Sequence, residues 1–425
     1  MALKKKPVTG MKDILPAEME IRDYVLGTIK ETYRGFGFSA IETPCVEHIE
    51  NLTSKQGGDN EKLIFKILKR GEKLNLETAK EESDLVDGGL RYDLTLPLSR
   101  YYSNNAASLP SPFKALQVGS VWRADRPQKG RFRQFVQCDI DILGDATSLA
   151  EIELITATTT ALSRICPDNS FTVRINDREL LKAMASYCGF PEDDCDKVFI
   201  TLDKMDKIGL DGVAAELVEM GYEKESVDKY KELLASVETN AEGVRSLGET
   251  LKGVLKEGTA EGLASIMETV TSIAEVKFGI EFDPTLVRGM GYYTGTIFEV
   301  SMEGFGGSVA GGGRYDKMIG KFTGMDTPAC GFSIGFERIV TILLDNGFKV
   351  PSKAGKKAFL FEKNIGSERL SQVLREASKE RKTGVQVLVA QMNKNKKFQK
   401  EQLQKDGYTE FKEYYREELK TSAGE

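Results

Sequence analysis

Hydrophobic and polar residues alternate along residues 131–142, and this alternation predicts a β-strand. One face is mostly apolar and suits a core. The polar face consists of Arg131, Arg133, Phe135, Gln137, Asp139 and Asp141. An ordinary half-buried strand also has a wet face. Here that face carries cations at one end and anions at the other, which favours a ligand with phosphates at one end and a cationic or hydrogen-bonding group at the other.

The same pattern predicts elements over most of the first 350 residues. Residues 17–35 place apolar side chains at helical spacing, which predicts an amphipathic helix. Residues 89–96 alternate, which predicts a second polar-faced strand on which Arg91, Asp93 and Thr95 share a face. The other predicted strands are residues 38–41, 64–68, 171–175, 287–302 and 329–334, and the other predicted helices are residues 147–165 and 336–346.

Composition divides the chain into regions. Residues 1–350 form the first predicted domain, and residues 178–275 interrupt it with a stretch rich in Leu, Ala, Glu and Lys. That stretch has few strand signals, so a mostly helical insertion domain is predicted. Residues 348–357 have the composition of a linker. Residues 356–425 alternate strand and helix patterns, which predicts a small C-terminal α/β domain.

Charge and hydropathy exclude several classes of protein. The 425 residues carry a formal net charge of −6, so any contact with nucleic acid must come from local basic patches. No apolar run approaches the roughly 18 residues of a membrane span. The first residues are basic but lack the apolar core of a secretory signal, so a cytoplasmic location is expected. Six cysteines without a C-x-x-C pair favour buried, reduced thiols.

A single histidine, His48, narrows the possible chemistry. A metal site with several histidines is impossible, and a Ser-His-Asp triad would have to use His48 without any nucleophile signature in the chain. An all-carboxylate metal site stays possible, but no residue is assigned as a metal ligand. Catalysis is therefore expected to depend on positioning and charge stabilisation rather than on an imidazole base.

Three further segments suggest phosphate chemistry. Residues 286–299 (LVRGMGYYTGTIFE) set an arginine and two tyrosines among glycines, which allow close approach of a ligand. Residues 311–316 (GGGRYD) are Gly-rich without a Walker pattern. In residues 331–340 (GFSIGFERIV) a strand leads into a helix with an arginine in its first turn. Each alone is compatible with a packed strand, a flexible turn or a solvated arginine. Together, Arg123, Arg288 and Arg338 match the charge of a pentavalent α-phosphate and suit nucleotidyl transfer.

These segments resemble the class II aminoacyl-tRNA synthetases. AIETPCVE, around Pro44, resembles the dimer motif of that class, VWRADRPQKGRFRQF its second motif, and GFSIGFERI its third. LVRGMGYYTGTIFE and GGGRYD resemble the two signatures of the histidyl-tRNA synthetase family, and RYDLTLPLSRY resembles its amino-acid loop. The resemblance covers residues 7–345.

The resemblance implies an α+β fold. Its core would be a six-stranded antiparallel sheet flanked by helices, with a helical insertion and a C-terminal anticodon-binding α/β domain. The implied reaction activates L-histidine with ATP, accompanied by Mg²⁺ and without a permanent cofactor, to histidyl-adenylate. The histidyl group is then transferred to the 3′ end of tRNA(His). A homodimer is also implied.

The resemblance also assigns residues to roles. The implied catalytic residues are Arg288, Arg123 and Arg338. The implied histidine-binding residues are Asp93, Thr95, Arg123, Gln137, Asp141, Arg288, Tyr292, Tyr293 and Tyr315. The implied ATP-binding residues are Arg123, Asp125, Arg131, Phe135 and Arg338, with Asp125 at the adenine amino group and Phe135 stacked on the ring. The residues implied to face the tRNA acceptor end are Arg126 and Gln128.

Two features depart from the family pattern. Gly291 stands where the family signature has an acidic residue, and the region after the linker is shorter than the family's anticodon domain. Residues 381–400 nevertheless lack acidic side chains and suit RNA phosphates. Two alternatives stay open: a non-catalytic, synthetase-like regulatory subunit of ATP phosphoribosyltransferase, and a histidine-sensing binding protein. Retention of the three arginines and of the YYTG sequence favours the enzyme.

Overall fold

A computed structural model describes residues 3–53, 60–128, 130–288, 291–351 and 355–416. The helices are α1 Pro16–Gly35, α2 Ile49–Thr53, α3 Thr95–Asn105, α4 Leu149–Ile165, α5 Arg178–Tyr187, α6 Cys195–Leu202, α7 Met205–Glu219, α8 Lys224–Ser236, α9 Ala241–Thr250, α10 Thr259–Ser272, α11 Gly320–Thr323, α12 Phe336–Asp345, α13 Ser367–Lys382 and α14 Lys396–Lys405. The strands are β1 Ser39–Ile41, β2 Val46–His48, β3 Lys66–Leu68, β4 Val86–Leu90, β5 Phe113–Trp122, β6 Gln134–Leu143, β7 Phe171–Asp177, β8 Gly279–Phe282, β9 Thr296–Met302, β10 Ser308–Arg314, β11 Ala329–Ile334, β12 Lys356–Phe361, β13 Gln386–Gln391 and β14 Glu410–Tyr414.

The packing divides the described residues into two compact units. The first comprises the residues up to 14 together with residues 22–346, and the second comprises residues 15–21 together with the residues from 347 onward. The predicted linker of residues 348–357 lies partly outside the described residues. The last nine residues of the predicted C-terminal domain, 417–425, lie outside them as well.

An eight-stranded mixed sheet organises the first unit, in the order β1-β5-β6-β11-β10-β9-β7-β8. The six central strands, from β5 to β7 in that order, pair antiparallel with their neighbours. The edge strands β1 and β8 pair parallel. The predicted sheet of six antiparallel strands is therefore wrong in its count and describes only the centre. The strand predicted for residues 38–41 contains β1, whereas β8, with four residues, is too short for alternation to show in a sequence.

Helices cover one side of this sheet. Cys138, Ile140 and Ile142 of β6 are almost fully buried, and α4 and α12 pack against β6. The apolar helical spacing of residues 149–165 and 336–345 supplies the facing side chains. Because successive strand residues point to opposite sides, the odd-numbered residues of β6 face away from this core.

The predicted polar-faced strand of residues 89–96 is wrong beyond Leu90. β4 ends at Leu90 and α3 begins at Thr95, so Asp93 lies in the connection between them. The Asp93 carboxylate accepts a hydrogen bond from the backbone N–H of Leu96 at 3.1 Å. It thereby satisfies a donor of the first helical turn, where Pro97 is also tolerated. A short alternating segment does not separate strand from helix by periodicity alone.

The predicted strand of residues 287–302 is shortened to β9. Residues 286–288 and 291–295 precede β9 without helix or strand, and residues 289–290 lie outside the described residues. Glycines weaken a strand because they add backbone entropy and no packing side chain. Gly291 and Gly295 fall in this segment, which accounts for the late start of β9.

Helices α5 to α10 succeed one another between β7 and β8, and no strand occurs among the described residues between these two. In the second unit, β13-β12-β14 form a parallel sheet. Its core consists of Phe359, Ile365, Val373, Ala377, Val387 and Tyr414. All six cysteines are free, five of them buried and Cys45 exposed. Within the described ranges, no helix is both long and apolar enough to cross a membrane.

Candidate functional site

The register of the large sheet builds the floor of a site. Glu299 of β9 pairs with Gly311 of β10, Gly311 pairs with Ser333 of β11, and Ser333 pairs with Asp139 of β6. Residues paired in register project on the same face of neighbouring strands. A polar row therefore crosses four strands on the side away from α4 and α12.

A pocket of about 510 Å³ lies over this row. It is lined by all but one of the residues predicted for catalysis, histidine and ATP, namely Asp93, Thr95, Arg123, Asp125, Arg131, Phe135, Gln137, Arg288, Tyr292, Tyr293, Tyr315 and Arg338. The exception, Asp141, accepts a hydrogen bond from the Tyr315 hydroxyl at 2.6 Å. Arg126 and Gln128 line an adjoining depression that shares two lining residues with the pocket. Side chains far apart in the chain thus converge on one cavity.

Guanidinium groups gather at one end of the pocket. Burial lowers the pKa of Arg338 below its usual value, and the nearby charges of Arg131 and Arg288 lower it further. Arg338 donates to the backbone carbonyl of Ser308 and to its hydroxyl oxygen, the latter at 3.1 Å. Mutual repulsion among like charges is relieved by an anion, and guanidinium groups bind phosphate oxygens in a fixed fork. This end of the pocket suits a polyphosphate.

Arg288 is held in place although its segment has no regular structure. Its Nη1 donates to Oε2 of Glu299 at 2.8 Å. A Cβ on Gly311 would lie 2.6–2.8 Å from three atoms of the Arg288 guanidinium. Only glycine at this strand position leaves room for the cation. The Gly-rich sequence of β10 therefore has a packing role rather than that of a flexible turn.

Arg123 lies between two aromatic rings, directly after β5. Its guanidinium carbon is 4.3 Å from the ring centre of Tyr92 and 5.1 Å from that of Phe135. Its Nε donates to the backbone carbonyl of Tyr92 at 3.1 Å. Both contacts fix the orientation of the cation. Burial raises the pKa of Asp93 and Asp139, and the charge of Arg123 partly offsets that rise. Arg123 thus marks the boundary between the cationic and acidic ends.

Three buried carboxyl groups, Asp93, Asp139 and Asp141, form the acidic end. Burial raises the pKa of each of them. The pKa of Asp141 reaches about 7, with Asp93 raising it and the hydrogen bond from Tyr315 lowering it. Oδ1 of Asp139, Oδ2 of Asp141 and Oε1 of Gln137 are buried without a hydrogen-bond partner among the described residues. Such acceptors indicate a ligand that carries N–H donors.

Three tyrosines enclose the acidic end. The ring centres of Tyr292 and Tyr293 are 4.8 Å apart, and those of Tyr292 and Tyr315 are 6.0 Å apart in a nearly perpendicular arrangement. Burial raises the pKa of all three hydroxyl groups, so they stay protonated and can donate. Glycine again makes room, because a Cβ on Gly331 would lie 2.0 Å from Oδ1 of Asp141.

Asp139, Ser333 and Glu299 belong to this site but were not predicted as site residues. The alternation did place Asp139 on the polar face, so the sequence contained that signal. Arg288 lies in the irregular segment before β9, and its guanidinium reaches Glu299 of β9 and Gly311 of β10. No local sequence pattern reveals this placement. In contrast, Arg133 was placed on the polar face and does not line the pocket. It precedes β6, and its Nε donates to the backbone carbonyl of Asp125 at 3.1 Å.

A buried ion pair that sequence reasoning missed supports the pocket wall. Arg22 of α1 donates to both carboxylate oxygens of Glu337 at 2.7 and 2.8 Å. Oε1 of Glu337 also accepts the backbone N–H of Val136 in β6 at 3.2 Å. One carboxylate thus joins α1, the first turn of α12 and the pocket strand β6. The partners are 315 positions apart, so no sequence spacing indicates the pair.

The described residues contain no group of three or more His, Cys, Asp or Glu side chains that could hold a metal ion. His48, at the end of β2, is exposed and does not line the pocket. The pocket is lined by guanidinium, carboxyl, amide and phenol groups. These can bind charged ligands and stabilise a developing negative charge.

Comparisons with known proteins identify the family of this chain. The model of the family described as histidyl-tRNA synthetase matches residues 10–339. A histidine–tRNA ligase from Leifsonia xyli subsp. xyli is 46% identical over 364 residues, which cover 84% of this chain and 83% of that protein. The family match includes every segment that lines the pocket.

Two solved structures share the fold. A histidyl-tRNA synthetase from Nostoc sp. PCC 7120 has a TM-score of 0.75 and 26% identity, over 96% of this chain and 90% of that chain. A Bacillus halodurans structure described as an ATP phosphoribosyltransferase regulatory subunit/histidyl-tRNA synthetase has a TM-score of 0.77 at 21% identity, over 98% and 99%. The latter likeness concerns the fold alone. On the family match and the sequence identity together, the chain belongs to the histidyl-tRNA synthetase family.

Proposed function

We propose that this protein is a histidine–tRNA ligase, which activates L-histidine with ATP and then esterifies tRNA(His). One observation carries the proposal. A single pocket has arginines at one end and, at the other, buried acceptors without partners among the described residues. The phosphates of ATP and the carboxylate of histidine need cations, whereas the ammonium and imidazole N–H groups need acceptors. Both substrates would therefore bind in this pocket with their reacting groups adjacent.

ATP would occupy the cationic end. Arg131 and Arg338 would hold its outer phosphates, which is supported by the mutual effect of their charges in the pocket. Phe135 would stack on the adenine ring and Asp125 would accept from its exocyclic amino group. Mg²⁺ would enter as part of the ATP substrate, since this ion is usually held by phosphate oxygens, water and at most one or two carboxylates.

Histidine would occupy the acidic end. Arg123 would bind its carboxylate, so the adjacent α-ammonium would lie beside the groups near Arg123. Asp93 and Gln137, which line the pocket, would accept hydrogen bonds from this ammonium. The imidazole would extend to Asp141, whose carboxyl already accepts from Tyr315. Thr95, Tyr292 and Tyr293 would complete the wall of the histidine site.

The first reaction needs charge stabilisation above all. A carboxylate oxygen of histidine attacks the α-phosphorus of ATP, the bond from that phosphorus to the bridging oxygen breaks, and pyrophosphate leaves. Negative charge builds on the α-phosphoryl oxygens as the attack proceeds. Arg288, fixed by Glu299, and Arg123, fixed by Tyr92, would stabilise this charge. Because these cations are already oriented, little reorganisation is needed.

The second reaction transfers the histidyl group. A terminal ribose hydroxyl of tRNA attacks the acyl carbon of the adenylate, an ester forms and AMP leaves. Arg126 and Gln128 would face the acceptor end, because their depression adjoins the pocket. A site built to hydrogen-bond a polar side chain can reject analogues that lack it by about 10⁴–10⁵. A separate editing site is therefore unnecessary for this specificity.

The domain arrangement stays a proposal as well. Residues 1–350 would be the catalytic domain, residues 178–275 its insertion, and residues 356–425 a shortened anticodon-binding-like domain. A homodimer in the cytoplasm fits the family. The test is histidine-dependent exchange of pyrophosphate into ATP, followed by charging of tRNA(His). A regulatory subunit or a histidine sensor would bind histidine without either activity, and that result would refute the enzyme.

A further inference from the structure

Gln137, Ser333 and Asp139 form a hydrogen-bonded triangle on the pocket floor. Nε2 of Gln137 donates to Oδ2 of Asp139 at 3.3 Å and to Oγ of Ser333 at 3.5 Å. Ser333 pairs in register with Asp139, and its hydroxyl hydrogen-bonds to the Asp139 carboxyl. Asp139 is 4% exposed. Asp139 is thus buried, whereas Gln137 and Ser333 are half-buried on the pocket floor.

The triangle determines which end of the Gln137 amide faces the pocket. An ionised carboxylate only accepts hydrogen bonds, and a bound ammonium favours the ionised form of Asp139. In that form Asp139 pairs with the amide nitrogen of Gln137 and not with its oxygen. The Ser333 hydroxyl donates its proton to the Asp139 carboxylate. Its oxygen can therefore accept the second N–H of the Gln137 amide. Both donors of Gln137 are therefore engaged. Its Oε1 is buried without a partner among the described residues, in a side chain that lines the pocket.

We propose that Asp139 is a positioning residue for recognition of the substrate α-amino group, because it holds the Gln137 amide with its oxygen toward the ammonium. This inference rests on the proposed function and deepens it. The rotation of an amide by half a turn exchanges an acceptor for a donor at the same place. A donor at that place would repel an ammonium instead of binding it.

The position within the pocket assigns the α-amino group rather than the imidazole to this triangle. The charge of Arg123, the proposed carboxylate ligand, acts on Asp93 and Asp139. Asp141, by contrast, is joined to Tyr315. In an amino acid the ammonium is bonded to the carbon next to the carboxylate, so it lies at the Arg123 end.

The test replaces Asp139 with a side chain of the same shape. Asp139→Asn removes the charge and sets a second amide against Gln137, so the orientation of Gln137 is no longer fixed. A hydrogen bond to a charged group typically contributes about 1.5–3 kcal/mol. In pyrophosphate exchange the KM for histidine should therefore rise about 10- to 100-fold, while the KM for ATP should change less than about twofold.

A matched pair of inhibitors isolates the ammonium. Histamine and 4-ethylimidazole share the imidazole and the two-carbon chain, and only histamine carries an ammonium. The inhibitor ratio is the inhibition constant of 4-ethylimidazole divided by that of histamine. This ratio should fall about tenfold in Asp139→Asn relative to the unmodified protein. A purely structural role for Asp139 would weaken both inhibitors and ATP together, and that outcome would overturn the inference.

Two serine variants provide a second, independent measurement. Ser333→Ala removes one anchor of Gln137 and should lower the inhibitor ratio in the same direction. Ser301→Ala is the matched control, because Ser301 lies on β9, donates to the backbone carbonyl of Thr172 and does not line the pocket. Thermal unfolding of each variant identifies any loss of fold. If Asp139→Asn is unstable, the comparison of the two serine variants decides.

The outcomes separate this inference from the proposed function. Absence of histidine-dependent exchange in the unmodified protein would refute both. An active unmodified protein, with an unchanged inhibitor ratio in Asp139→Asn or in Ser333→Ala, would overturn the positioning role alone. A fall of the ratio in both variants, with the Ser301→Ala ratio unchanged, would support it.

Discussion

Gly311→Ala should separate catalysis from stability. The added Cβ would lie 2.6 Å from Nη1 of Arg288, whereas ordinary contact begins near 3.4 Å. The guanidinium must therefore move by about 0.8 Å, which also disturbs its 2.8 Å bond to Glu299. A misplacement of about 1 Å at a reacting centre can cost about 10²-fold in rate. We expect adenylate formation to slow about 100-fold, or about 2.7 kcal/mol in activation free energy.

The assay is single-turnover formation of histidyl-adenylate at saturating substrates, with thermal unfolding measured in parallel. Alanine is favoured over glycine in a strand interior by about 0.5–1 kcal/mol, so the melting temperature should change little. Gly306→Ala is the control, because its Cβ would have nothing within 4 Å. The double variant Gly311→Ala/Arg288→Ala should be no slower than Arg288→Ala alone. A rate for Gly311→Ala within about threefold of the unmodified protein would refute the reasoning, since it is far from the expected 10²-fold.

Three further predictions concern charged groups. Arg288→Ala and Arg338→Ala should each raise the activation free energy of adenylate formation by about 2.7–4 kcal/mol. Near-normal pyrophosphate exchange in both variants would contradict their roles. Burial raises the pKa of Asp141 to about 7, so the folded protein keeps a proton that the unfolded chain releases at lower pH. The free energy of unfolding therefore falls as the pH rises from the usual range of an aspartate toward 7. An amide at this position cannot ionise, so Asp141→Asn should raise the melting temperature more at pH 8 than at pH 5. An equal effect at both values would contradict the cause. Glu337→Gln breaks a buried ion pair with Arg22 and should lower the free energy of unfolding by about 3–5 kcal/mol in urea denaturation, whereas a loss below about 1 kcal/mol would place the pair among weak surface contacts.

The site also explains why glycines surround a charged pocket. The cation of Arg288 and the carboxyl of Asp141 lie where side chains of Gly311 and Gly331 would otherwise project. Loops and neighbouring strands can then bring charged groups directly over the sheet. The pocket gains buried, oriented charge, which acts more strongly than charge exposed to water.

The sequence by itself determined the elements with long, regular periodicity. The predicted strand of residues 329–334 matches β11, and the predicted helix of residues 336–346 matches α12 within one residue. The alternation in residues 131–142 also assigned Gln137, Asp139 and Asp141 to one polar face, because a side-chain period of two is local to the strand. The type of each element and the face of each side chain depend on residues that are close in the sequence. The pattern along the chain is therefore enough to predict them.

Only the tertiary structure decided how these elements meet. The alternation of residues 89–96 predicted a strand, but the hydrogen bond from Leu96 to Asp93 begins a helix there. The pairing of Arg22 with Glu337 and of Arg288 with Glu299 depends on strand order and loop paths, which bring together residues distant in the chain. Periodicity reports the environment of each residue and carries no information about its distant partners. The orientation of the Gln137 amide is such a case, because it follows from two partners, one of them on another strand.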